Sequence, residues 1–186
     1  MLGAGFPETI AGGTMKKLIA LEQAQKEKLW SHLLPENPTC EKAAFIFADF
    51  TKLRNLATFI PREIYLATGQ DFASQHTDYL ELTDATRISL IKRAHKLDAS
   101  IIELHSHSFP GSCAAAFSLA DRKGLQEIVP QMWWRLKNKP YGAIVVAPEG
   151  FDALIWWDNP VKPEALDGIT INGTILKPTN RSLKGW

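Results

Sequence analysis

Four side chains between Ile101 and Asp121, in IIELHSHSFPGSCAAAFSLAD, have the types and spacing for metal-assisted chemistry: His105, His107, Ser118 and Asp121. The residues leading into the histidines, Ser100 to Leu104, are largely apolar and β-favouring, so His105 and His107 stand at i and i+2 near a predicted strand end. Side chains alternate along a strand, and both imidazoles therefore face the same way. Ser118 opens a segment with helical periodicity, and Asp121 lies one turn further on the same face. That makes two nitrogen donors, one oxygen donor and a hydroxyl beside them. Three protein ligands leave the fourth position of a tetrahedral zinc ion to water, which is the arrangement of a catalytic site; structural sites are normally closed by four.

Each piece also has a plain structural explanation. Ser118-x-x-Asp121 ahead of an apolar periodic run is the pattern of a helix capping box. An HxH pair describes surface histidines as well as ligands. Capping and ligation are compatible, because a helix N-terminus can turn both side chains toward a site. Hydrolysis needs a general base as well, and Glu41 is the candidate, at the start of a predicted strand; a solvated residue before a strand is its alternative. Glu63 and Glu103 are rivals. Glu103, two residues before His105, shares the face of the histidines and is either a ligand, a partner of a ligand, or a border of the sheet. Cys113, in the loop over the metal, and Cys40, beside Glu41, read as incidental thiols.

The elements that must position these groups follow from periodicity. Residues 1–14, rich in glycine and small side chains, read as a flexible lead-in. Leu18, Leu21, Leu29 and Leu33 predict one surface helix over Met15–Leu34, stopped by Pro35. The continuous apolar run Ala44–Phe47 predicts a buried strand. Residues 53–68 read as strand, broken or divided at Pro61; residues 69–78 read as a loop and YLEL as a short strand. Asp84 is placed to cap a helix carrying Ile88, Ile91, Ala94 and Leu97, which leads into the histidine strand. Beyond Asp121, Leu125, Ile128, Met132 and Leu136 continue a helix through Pro130, with Trp133 and Trp134 thickening its apolar face. YGAIVVAP and FDALIWWD predict a hairpin, and ITI and TILK another around Asn172-Gly173. Residues 178–186 read as a flexible tail, so the expected domain is 15–177, of α/β class with a mixed central sheet flanked by helices.

Composition narrows the partners. With 186 residues, 45% hydrophobic and 22% charged, the chain matches an ordinary folded domain. A net charge of +1 provides no basic field for nucleic acid, and no apolar run reaches membrane length or forms a signal peptide. Two cysteines make no disulfide framework, and the expectation is a cytoplasmic protein.

Taken together, Glu41-Lys-Ala-Ala-Phe-Ile-Phe, His105-Ser-His107 and Ser118-Leu-Ala-Asp121 resemble the signature of the JAMM, or MPN-plus, zinc metalloproteases, with coverage from about Glu41 to Asp158. The resemblance implies an MPN-like, cytidine-deaminase-like fold. It also implies a zinc ion on His105, His107 and Asp121, Glu41 as base for the attacking water, and Ser118 as oxyanion donor. The implied reaction is cleavage of an isopeptide or peptide bond that releases a ubiquitin-like modifier from conjugates or precursors, in association with a modifier-conjugation enzyme set. A non-catalytic MPN-type interaction module and a JAMM-type hydrolase of a small amide or cysteine adduct are the alternatives. Ser108 stands where the family has proline, and ten residues separate His107 from Ser118, three more than the family pattern. A loop extension of that size costs little closure entropy.

Overall fold

Alternating burial of consecutive residues builds one large sheet with two covered faces. In β2 (Ala43–Leu53), Ala43, Phe45 and Phe47 enter one apolar core while Ala44, Ile46 and Ala48 enter the other. The same alternation runs through β6 (Ser100–Ser106), β7 (Tyr141–Ala147) and β8 (Gly150–Trp156). Strands buried on both faces need apolar side chains at every position, which explains the continuous runs in the sequence. The computed structural model of the chain describes residues 15–107 and 115–186. Expectations for residues 1–14, Ser108 and Cys113 lie outside the described residues.

Besides these four, the strands are β1 (Lys16–Leu21), β3 (Leu56–Leu66), β4 (Phe72–Gln75), β5 (Leu80–Leu82), β9 (Glu164–Ala165), β10 (Gly168–Ile171) and β11 (Thr174–Leu176). Nine of them form a mixed sheet in the order β11-β10-β1-β3-β2-β6-β7-β8-β9, and β4 pairs with β5 in a separate hairpin. Among the described residues, three α-helices cover the sheet: α1 (Gln23–Leu33), α2 (Asp84–Leu97) and α3 (Leu119–Arg135). Leu29 and Leu33 of α1 pack on one face; Leu90 and Ala94 of α2 and Leu125, Val129, Met132 and Trp133 of α3 pack on the other. The chain is therefore mixed α/β with helices on both sides of its sheet. Among the described residues, no helix is long and apolar enough to cross a membrane.

Several local expectations are corrected. Met15–Leu34 is not one helix: Lys16–Leu21 is a strand, lying parallel to both β3 and β10, with Ile19 and Leu21 buried. The leucines satisfy helical spacing, but Ile19 and Leu21 equally satisfy strand alternation, and pairing with distant strands decides. Pro61 does not divide β3. The β2–β3 register shifts there, Phe47 facing Glu63 and Ala48 facing Pro61, so Arg62 is an extra residue and the bulge absorbs the missing proline donor. Residues 69–78 are not all loop, since Phe72–Gln75 is strand β4.

The cap of α2 is Thr83, whose hydroxyl accepts from Thr86 N–H at 3.1 Å; Asp84 is the first helical residue, where its charge suits the helix dipole. Ile88 is exposed, and the buried stripe of α2 is Thr86, Leu90 and Ala94. Trp133 is buried but Trp134 is 78% exposed, since adjacent helical residues point about 100° apart. Residues 178–186 are not a loose tail: Ser182 is 1% exposed and the Trp186 ring packs edge-on against Trp156 at 5.3 Å. The expected hairpin at Asn172-Gly173 is present, with φ of 49° and 83°, the left-handed pair a two-residue turn of this type requires.

Candidate metal centre

The histidines are held by the sheet. His105 faces Ala43 of β2 on one side and Val145 of β7 on the other, and His107 N–H donates to the Val146 carbonyl at 2.8 Å just past the strand end. By alternation, Ile101, Glu103 and His105 point to the face covered by α2 and α3. The imidazoles stand with centroids 5.0 Å apart, and His105 is 9% exposed.

Ser106, between the histidines, explains how Glu41 arrives. Its hydroxyl accepts from Lys42 N–H at 2.9 Å, and its own N–H donates to the Lys42 carbonyl at 3.0 Å. The end of β6 is thereby clamped to the start of β2. The hairpin of β4 and β5 holds Glu41 from the other side: Glu41 N–H donates to the His76 carbonyl at 2.8 Å, and Gln75 Nε2 donates to the Glu41 carbonyl at 2.8 Å. The Glu41 side chain is 6% exposed as a result, with Oε1 3.6 Å from His107 Nε2. Burial pushes its carboxyl up, against the pull of His105 and His107. Sequence reading missed Ser106; its only signal is that alternation turns it to the opposite face from its neighbours.

Asp121 enters from α3. Ser118 is the N-cap: its hydroxyl accepts from Asp121 N–H at 3.1 Å, and its N–H donates to Asp121 Oδ2 at 2.7 Å. The capping box and the site are thus the same structure. It presents Asp121 Oδ2 at 3.3 Å from His107 Nε2 and 3.5 Å from His105 Nε2. Burial works against ionisation of Asp121, but the two histidines and Ser118 outweigh it and hold the carboxyl far below the usual range. His105 shows the counterpart: burial disfavours its charged form, while Asp121, Glu41 and Glu103 push its pKa up.

These donors fit a metal ion. The three ligand atoms lie within 4.8 Å of one another. A tetrahedral zinc with bonds of 2.0 to 2.2 Å has ligand–ligand edges of about 3.3 to 3.6 Å, and both measured contacts to Asp121 fall in that interval. Among the described residues, His105 Nε2 is buried without a hydrogen-bond partner. A buried polar atom left unpaired is costly, and a cation at the centre of this set would satisfy it.

The rivals separate. Glu63 is paired with Arg93, which donates from Nε to both carboxylate oxygens at 2.9 Å, and belongs to the β3–α2 contact. Glu103 accepts from the Tyr141 hydroxyl on the wall of a cavity of about 410 Å³ that Glu41, His105 and Asp121 also line. Burial pushes the Glu103 carboxyl up. It adjoins the metal set without joining it, and no spacing signal foretold its pairing with Tyr141. Cys40 is half-buried beside Glu41 and forms no disulfide among the described residues. No protein-family model matches the chain, and no curated protein sequence matches it either.

Proposed function

We propose that this chain is a zinc-dependent hydrolase of isopeptide or peptide bonds, of MPN-plus type, that removes a ubiquitin-like modifier from conjugates or precursors in the cytoplasm beside a modifier-conjugation enzyme set. The observation that carries the reading is the buried Nε2 of His105, without a hydrogen-bond partner among the described residues, within a His105–His107–Asp121 set at zinc-like separations. Glu41 stands 3.6 Å from the same set. The MPN-like fold belongs to this proposal and is supported by the mixed sheet with helices on both faces.

When bound, zinc lowers the pKa of a water toward about 7 and polarises the scissile carbonyl. The residues of the chain do the rest. Glu41, its carboxyl raised by burial, accepts a proton from the attacking water and returns it to the departing amine, so that the elements of water add across the C–N bond. The Ser118 hydroxyl accepts from Asp121 N–H, which leaves its own proton to donate to the tetrahedral oxyanion. His105 and His107, set by the sheet, keep the donor set rigid. The cavity beside them gives room for the substrate residue next to the scissile bond.

The test is Glu41→Gln. Zinc content is expected to match the parent, and turnover of a modifier conjugate to fall about a hundredfold or more; cleavage at the parental rate removes Glu41 from the base role. The volume of the cavity, within the range of small-ligand sites, also favours a second reading, hydrolysis of a small amide or cysteine adduct. Assaying both substrate classes with and without chelator separates the two.

A further inference from the structure

The residues that supply Ser118 and Asp121 are clasped from outside by the segment 178–186. Thr179 Oγ1 donates to the Ala115 carbonyl at 2.6 Å, and Phe117 N–H donates to Ser182 Oγ at 2.7 Å. On the far side of Asp121, Arg122 Nη1 donates to the Gly185 carbonyl at 3.0 Å. These bonds reach positions 115, 117 and 122, which bracket the cap and the ligand on both sides.

The clasp is itself anchored in the core. Ser182 N–H donates to Asp152 Oδ2 at 2.8 Å, and Asp152, fully buried on β8, accepts from Ala153 N–H with its other oxygen. Thr179 N–H donates to the Phe151 carbonyl at 2.9 Å, and Trp186 stacks edge-on against Trp156. Phe117, tied through its N–H to Ser182, sets its ring 5.7 Å from the His105 ring. Ser182 thus joins β8, through its N–H, to Phe117, through its hydroxyl, and Phe117 both packs its ring on His105 and precedes the cap of α3. Hydrogen-bonded partners outside the ligand set orient ligands and tune metal affinity.

We propose that residues 178–186 form a strap that positions Ser118 and Asp121 against the histidines, with Ser182 as its positioning residue. The inference rests on the zinc-site reading. Ser182→Ala breaks the bond to Phe117 N–H and leaves the donor set untouched.

The experiment measures zinc affinity by competition with a chromophoric chelator for the full chain and for Ser182→Ala and Ser182→Thr. Amide hydrogen exchange at residues 117–122 is followed in the metal-free proteins. Ser182→Ala is expected to bind zinc about tenfold more weakly and to exchange faster at 117–122. Ser182→Thr, which keeps the hydroxyl, is expected to restore affinity to within about twofold. Equal affinity in the parent and Ser182→Ala overturns the strap while leaving the zinc site intact; failure of the parent to bind zinc overturns both. Weaker binding in Ser182→Ala with unchanged exchange at 117–122 also counts against the strap, because positioning must loosen that turn.

Discussion

Two carboxylates sit beside helix starts in this molecule, Asp71 buried and Asp121 half-buried, and they are treated in opposite ways. Asp71, which precedes α2, accepts from the Tyr65 hydroxyl at 2.7 Å, Thr68 N–H at 2.7 Å, and the hydroxyls of Thr68 and Thr86 at 3.1 Å each. Its donors are neutral and at hydrogen-bonding distance, so the group is complete. Asp121, in the first turn of α3, faces two imidazoles at 3.3 and 3.5 Å, too far for good hydrogen bonds and suited to the edges of a metal tetrahedron. One buried imidazole nitrogen there has no hydrogen-bond partner among the described residues. A closed network holds a fold together, whereas an open one of the same size marks a place for something else to bind.

The two carboxylates differ most in what Asp121 faces. Asp121→Ala is expected to weaken zinc binding at least about a hundredfold while the far-ultraviolet circular dichroism stays that of the parent. Parental zinc affinity in that variant makes the two carboxylates equivalent and the open network illusory.

Asp71→Asn tests the closed network. It is expected to cost about 2 kcal/mol of unfolding free energy at pH 7, read from urea denaturation, without a change in zinc affinity. Hydrogen bonds to the ionised form, opposed by burial, hold the Asp71 carboxyl below its ordinary value. Its stabilisation is therefore full above the unfolded pKa, about 3.9, and is lost as pH falls through the folded one. The parent's advantage over Asp71→Asn should shrink as urea titrations move from pH 7 to pH 3; a gap that widens contradicts the assignment.

The smallest effect is expected at the other end of that bond. The Tyr65 hydroxyl is pushed up to about 12, first by its hydrogen bond to Asp71 and then by burial. A folded pKa above the unfolded one, about 10, means a contribution that is present below pH 10 and lost as pH rises toward 12. Tyr65→Phe should flatten that alkaline loss, measured by thermal denaturation between pH 9 and 11.5, and should leave the metal site unchanged.

Much of the candidate site was legible because its parts are local. Alternation put Glu103 and His105 on one face, and Ser118-x-x-Asp121 announced both the cap and the donor that the cap presents. The continuous run from Ala44 to Phe47 announced a buried strand, and YGAIVVAP announced a strand of a hairpin; both are there as β2 and β7. Where two periodicities competed, reading failed: Lys16–Leu21 fits a helix by its leucines and a strand by its alternation, and only its neighbours β3 and β10 settle which. The segment 178–186 looked loose because its anchors, Asp152, Phe117 and Ala115, leave no periodic trace.

Residue type and spacing by themselves nominated His105, His107 and Asp121 as candidate donors with a hydroxyl beside them, and gave the α/β class, since each depends on the local geometry of strands and helices. Tertiary structure alone decided that Glu41 meets His107 through the Ser106 clamp, that Glu63 is taken by Arg93, and that a distant strap brackets the cap of α3. The physical reason is the range of the forces involved. Backbone alternation and capping act within a few residues, whereas these contacts join residues thirty or more apart, whose proximity is set by sheet order and burial.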